Sequence, residues 1–201
     1  MNLPNKLTVL RIILAPLFLV VLMLDFPHHY IIAAVLFVTA SLTDMADGKI
    51  ARSRGLITNL GKFLDPLADK MLTTAALLGF MSCGIESAFG GAMGKMLMWV
   101  NFIVLTREFL VTSVRLLAAS SGKVVPANIY GKLKTVSQMT AIITTLVFEY
   151  FISLNFTFVS DALVNTLRII YTVLIWISVV FCVISGIIYA VENREFIRSK
   201  K

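Results

Sequence analysis

Apolar residues fall into six runs along the chain, each bounded by charged or turn-forming residues. Each run is close to the roughly 20 residues that a helix needs to cross the hydrocarbon core of a bilayer. The runs cover residues 7–24, 29–53, 60–83, 94–119, 128–152 and 165–192. The second holds no Asp, Glu, Lys or Arg between Phe26 and Thr43, and the sixth none from Ile169 to Val191. The fourth is interrupted by Arg107, Glu108 and Arg115. The first run follows Lys6 and Arg11 like a signal peptide, but Asp25-Phe26-Pro27-His28-His29 comes next instead of a small-residue cleavage site. It is therefore expected to be an uncleaved spanning helix. The stretch 150–164 reads as an outer interfacial loop that could include a short amphipathic piece.

Loop charges orient this pattern. With six spans both termini share a side, and that side carries Lys6, Arg11, Arg52, Arg54, Lys62, Lys123, Lys132, Lys134, Arg194, Arg198, Lys200 and Lys201. The opposite side holds Asp25, Glu86, Glu149 and Asp161 against Lys95 and Arg168, so the outer halves of the spans are expected to be apolar. Basic loops stay in the cytoplasm, which predicts cytoplasmic termini. The sequence thus predicts an all-α integral membrane protein of six transmembrane helices, with residues 1–201 forming a single domain.

Composition narrows the classes further. Of 201 residues, 58% are hydrophobic and 14% charged, against roughly 25% charged in soluble domains. That excludes a disordered chain, a disulfide scaffold and a basic nucleic-acid-binding domain. The net charge of +7 sits mostly at span ends, where it meets anionic headgroups rather than nucleic acid. Cys83 and Cys182 lie in or beside apolar stretches and are expected to be buried free thiols.

Four carboxylates stand where carboxylates are costly. Asp44 and Asp47 share one helix face at the cytoplasmic end of the second span, and Asp65 and Asp69 do the same on the third. The short turn Arg52-Ser53-Arg54-Gly55 is expected to fold the two helices into a hairpin that brings the pairs together. An acid deep in a spanning helix costs roughly 2.5–3.5 kcal/mol, and clustered acids also repel. Water, or Lys49, Lys62 and Lys70, could relieve this. Two hard divalent cations with oxygen ligands would relieve it better. Gly48 and Ala51 continue the Asp44 face, and Gly61 precedes Asp65 by one turn. Small residues beside carboxylates and Arg52 suit close approach of a phosphorylated ligand. Pro66 removes a backbone donor and is expected to kink the third helix.

Together these residues read Asp44-x-x-Asp47-Gly48-x-x-Ala51-Arg52, then eight residues, Gly61, three residues, Asp65, three residues, Asp69. The pattern resembles the signature of the CDP-alcohol phosphotransferase family. A chance match at one start point has odds of about 1 in 10^9 to 10^10. Asn2–Arg11, Gly61–Lys70, Arg107-Glu108-Phe109 and Gly131-Lys132-x-Lys134-Thr135 are similar to a bacterial branch of that family that favours glycerol 3-phosphate as acceptor.

The resemblance implies a six-helix enzyme of the bacterial cytoplasmic membrane, homodimeric, with a polar cavity open to the cytoplasm. CDP-diacylglycerol would place its nucleotide there and its acyl chains in membrane lipid. Asp44, Asp47, Asp65 and Asp69 would ligate two divalent cations, Mg²⁺ or Mn²⁺, with Asp69 as general base. Gly48, Ala51, Arg52 and Gly61 would contact the CDP moiety, with Asn5 and Thr8 nearby. The reaction would pass the phosphatidyl group to glycerol 3-phosphate and release CMP.

Such an acceptor needs a cationic pocket. Arg107 and Arg115 lie eight apart on one face of the fourth helix, and intramembrane arginines face cavities or acids. Glu108 is expected to point away from Arg107, and Lys132 and Lys134 enter the fifth helix at its cytoplasmic end. Arg107, Arg115 and one of the two lysines, Lys134 before Lys132, are the expected phosphate contacts. Another acceptor within the family is the nearest alternative. A divalent-cation transporter is the rival class, but it would place acids near the bilayer midplane.

Overall fold

The computed structural model describes residues 2–54, 59–83, 92–120, 129–154 and 160–194; within its helices, the side chains of residues 3–4, 45–54, 59–60, 62–63, 65–66, 92–94 and 119–120 lie outside the description. Six helices account for nearly all described residues: α1 (Leu3–Met23), α2 (His29–Arg54), α3 (Asn59–Ser82), α4 (Ala92–Ser120), α5 (Ile129–Ser153) and α6 (Asp161–Glu192). Each coincides with one apolar run of the sequence. The largest differences are at the starts of α1 and α6, which begin before the predicted 7 and 165; Ser160 caps α6, its hydroxyl accepting from Leu163 N at 3.3 Å. The helix α3 continues through Pro66 without a break. Residues 155–159, within the predicted outer loop, lie outside the described residues.

Four helices are long and apolar enough to cross a membrane: Asn5–Met23, Lys95–Ala118, Ile129–Ser153 and Asp161–Glu192. The helix α2 is apolar over His29–Asp44 only. Its second half, and the first half of α3, carry the charged motif. Large apolar side chains remain exposed along the bundle, among them Phe102, Phe109, Leu116, Val136 and Ile187. A bundle whose outer surface is this apolar has lipid as its solvent.

The helix α1 is the organising element. It packs along both α2 and α3, whereas α2 and α3 touch each other little. The turn expected to join α2 and α3 as a hairpin runs into residues 55–58, which lie outside the described residues. The other half pairs α5 with α6, and α4 bridges α3 to α6 while α5 meets α2. Buried positions on α1 recur every three or four residues, at Asn5, Thr8, Arg11, Ala15, Phe18 and Leu22. The stripe is polar in its first turns and apolar after them, so one helix face serves both a polar end and a hydrophobic core. In that core Phe18 meets Phe37 with ring centroids 5.7 Å apart, beside Leu72, Ala76 and Phe80.

The α1–α2 turn closes with His28 in the left-handed region at φ 67° and His29 Nδ1 against Leu24 O at 2.6 Å. Both cysteines are free. The Cys83 thiol, just past α3, donates to Leu22 O at 3.0 Å.

Close approach of α1 and α3 depends on Gly79, where an added Cβ would sit 2.6 Å from Leu22 Cδ2 and 3.3 Å from Leu19 Cδ1. Leu22 is fully buried and has little room to yield. Gly79→Val is therefore expected to destabilise the bundle by about 1–3 kcal/mol. Thermal unfolding in detergent, compared with the exposed-position control Leu78→Val, would read this as a lower Tm in the glycine variant alone.

Candidate active site

Charged side chains gather at the end of the bundle where α1 begins and α2 ends. Arg11, only 1% exposed, pairs through Nη1 with Asp44 Oδ1 at 2.5 Å. A guanidinium stays charged when buried, so it must be matched by an acid. Asn5 and Thr8 share the buried stripe of α1 with it. The sequence marked Arg11 as an orienting charge only; here it is a structural partner of the first motif aspartate.

On α3, Asp69 lies within electrostatic range of Asp44, Lys134, Glu108 and Arg11. Four other helices thus direct charge toward one aspartate. Gly61 is buried two turns earlier on α3. The side chains of Asp47, Gly48, Ala51, Arg52 and Asp65 lie outside the described residues, although their backbones belong to α2 and α3. Among the described residues no three His, Cys, Asp or Glu side chains form a metal-holding group, and Asp47 and Asp65 are not in that set. Lys70 hydrogen-bonds to none of the described acid side chains. Its ammonium donates to Thr112 Oγ1 and to Glu108 O on α4.

The second part of the cluster joins α4, α5 and α6. Glu108 Oε1 accepts from Arg107 Nη1 at 2.9 Å and from Lys134 Nζ at 2.8 Å. This corrects the expectation that Glu108 points away: both side chains are long enough to converge, and Lys134 of α5 meets the same carboxylate oxygen. The three side chains are 7–15% exposed (Lys134 7%, Arg107 12%, Glu108 15%). A carboxylate shared by two ammonium-type cations leaves a net positive cluster in a low-dielectric place. Arg107 Nε also donates to Ser185 Oγ at 3.2 Å, and Arg115 Nε to Tyr189 OH at 3.2 Å. Of the two candidate lysines, Lys134 is buried in this cluster and Lys132 is exposed on another face of α5.

Gln138, one turn beyond Lys134 on α5, is 2% exposed, and neither its amide oxygen nor its nitrogen has a hydrogen-bond partner among the described residues. Buried amides are normally satisfied. Nothing in the sequence pattern singled out Gln138, Ser185 or Tyr189, because each reads as an ordinary interior position of an apolar helix. At the other end of the bundle, Glu149 is buried at 6% and accepts from Tyr171 OH at 2.7 Å. The outer halves of α5 and α6 are thus not purely apolar; a buried phenol takes up the acid that the sequence placed at the outer loop.

A family profile described as CDP-alcohol phosphatidyltransferase matches residues 1–185. A Bacillus subtilis protein named CDP-diacylglycerol–glycerol-3-phosphate 3-phosphatidyltransferase is 36% identical over 98% of this chain and 98% of its own. Proteins of the same name from Wigglesworthia glossinidia brevipalpis and Rickettsia typhi are 33% and 30% identical, covering 76% and 94% of this chain and 80% and 94% of theirs.

Removing Glu108 would leave Lys134 and Arg107 buried side by side without their shared anion. Breaking a buried ion pair from one side costs about 3–5 kcal/mol. Glu108→Ala is therefore expected to lower the detergent Tm well below that of the wild type, while Lys132→Ala, on the exposed face, leaves it unchanged. Equal Tm for Glu108→Ala and wild type would show that the cluster does not hold the bundle together.

Proposed function

The chain belongs to the CDP-alcohol phosphatidyltransferase family, and from that membership we propose that it transfers the phosphatidyl group of CDP-diacylglycerol to sn-glycerol 3-phosphate, giving phosphatidylglycerophosphate and CMP. Relatives named for that reaction cover nearly the whole chain. The observation that supports this acceptor best is the buried cationic cluster of Arg107 and Lys134, whose Lys134 lies within electrostatic range of Asp69. A neutral alcohol would have no use for it. An anionic acceptor placed there sits beside the carboxylate that would take its proton. The orphaned amide of Gln138 supports a polar ligand in the same space.

In this reading the six helices all span the bacterial cytoplasmic membrane, both termini are cytoplasmic, and the charged end of the bundle faces the cytoplasm. The enzyme works as a homodimer. Asp44, Asp47, Asp65 and Asp69 supply hard oxygen donors from two helices, a set that fits Mg²⁺ or Mn²⁺. Two such ions, when bound, supply charge neutralisation at the attacking and leaving oxygens. Arg11 holds Asp44 in place and offsets part of its charge. Gly48, Ala51 and Gly61 let the nucleotide approach the helix backbones, and Arg52, with Asn5 and Thr8, contacts the CDP moiety. Arg107, Arg115 and Lys134 hold the acceptor phosphate, with Lys132 at the entrance. Asp69 accepts the proton of the attacking hydroxyl. That oxygen forms its bond to the phosphorus bearing diacylglycerol as the bond to CMP breaks. Positioning and neutralisation carry most of such a transfer.

The test is CMP release from CDP-diacylglycerol by purified protein with Mg²⁺, with glycerol 3-phosphate, phosphatidylglycerol, inositol phosphate or serine supplied separately. Release with glycerol 3-phosphate alone, abolished by EDTA, is the expected result; release with a different acceptor would overturn the acceptor assignment. Asp69→Asn is expected to lower kcat by about 10²–10⁴-fold with the protein still folded. Arg115→Ala is expected to raise KM for glycerol 3-phosphate about tenfold or more, as loss of a charged hydrogen bond does, and to leave KM for CDP-diacylglycerol unchanged.

A further inference from the structure

The two arginines of α4 are held by a third helix that the reaction does not otherwise use. Arg107 and Arg115 each bring Nε to a side-chain oxygen of α6: Ser185 Oγ at 3.2 Å and Tyr189 OH at 3.2 Å. These two residues are one turn apart on α6, both buried at 2% or less. The Ser185 hydroxyl donates to Cys182 O at 2.9 Å, so what it offers Arg107 is an acceptor lone pair. Gly186, next to it, has no Cβ, and one built there would stand 3.0 Å from Arg107 Cγ. The Tyr189 ring lies under the Arg115 guanidinium, 5.5 Å from centroid to Cζ, and packs with Val111 and Val114 of α4. Each guanidinium is thus fixed at Nε, which sets the rotation of its plane. Among the described residues Nη2 of Arg107 and both amino groups of Arg115 make no hydrogen bond.

A guanidinium recognises phosphate through two parallel N–H bonds, and this needs its plane aimed as well as its charge present. We infer that Ser185, Gly186 and Tyr189 of α6 are the positioning residues of the acceptor-phosphate site, aiming the free edges of Arg107 and Arg115 at one anion. The inference rests on the proposed role of the two arginines. It assigns to α6, outside the signature motif, the selection of phosphorylated over unphosphorylated acceptors. Ser185 and Tyr189 act through the arginines and touch no substrate.

The experiment is steady-state CMP release in detergent for Ser185→Ala, Tyr189→Phe and the double variant, with Ser185→Thr restoring the hydroxyl. Ser178→Ala removes another buried α6 hydroxyl, one bonded to Ile175 O and to neither arginine, and is the control. KM for glycerol 3-phosphate is expected to rise about fivefold in each single variant and further in the double, the size of one ordinary hydrogen bond, because the arginine and its charge remain. KM for CDP-diacylglycerol, kcat, Ser185→Thr and Ser178→Ala should stay within about twofold of wild type. Inhibition by inorganic phosphate should weaken in parallel. Gly186→Ala, which keeps both hydroxyls and displaces Arg107, should raise the same KM. If Arg107→Ala and Arg115→Ala raise KM for glycerol 3-phosphate while the α6 variants do not, the positioning role is wrong and the acceptor site stands. If the arginine variants leave that KM unchanged, the proposed acceptor site itself fails. A uniform loss of kcat and both affinities in the α6 variants, matched by Ser178→Ala, would show a merely structural role.

Discussion

A charge buried in a bundle whose solvent is hydrocarbon has to be neutralised by the bundle itself, because water is not at hand to do it. That constraint explains which side chains meet in this protein. Arg11 meets Asp44 across α1 and α2. Glu108 on α4 holds Arg107 and reaches Lys134 on α5. Glu149 meets the Tyr171 hydroxyl across α5 and α6. Apart from Arg107 with Glu108, each pairing joins different helices, so the polar contacts fix the register of a bundle whose apolar contacts alone would tolerate sliding. The same contacts leave an excess of positive charge at one end. An enzyme that handles anionic phosphates at a membrane surface benefits from that residue of charge, while its lipid substrate keeps its chains in the bilayer.

The helices were legible because apolar run length is a strong signal, and all six runs became helices with ends close to those expected. Packing order was less legible. Local sequence does not tell that α1 packs along both α2 and α3, its polar first turns and apolar remainder complementing both neighbours at once. Nothing in the local sequence of α2 or α3 records the face that α1 presents.

Within the candidate site, legibility followed charge density. The motif aspartates, Arg107, Arg115 and Lys134 stand out because ionised residues are rare in spans. Lys134 and Lys132 could be ranked only by their position, and the structure turns one inward and leaves the other exposed. Glu108 was seen and misjudged, because adjacent residues of a helix ordinarily diverge, whereas long side chains can bend to a common point. Ser185, Tyr189 and Gln138 were invisible, since single polar residues within apolar helices are common and usually bond to their own backbone. What distinguishes Ser185 and Tyr189 is the partner on another helix, which only the fold supplies.

The order in which the pairs lie along the chain bears on how the protein enters its membrane. Arg11 and Asp44 sit on the first two helices, so a nascent α1–α2 unit can leave the insertion machinery with its two charges already matched. Arg107 and Glu108 are neighbours, so α4 carries its own counter-ion from the moment it is synthesised. Lys134 arrives afterwards and finds an anion waiting. Where a charge is made before its partner, as Arg11 and Glu149 are, that partner comes on the very next helix.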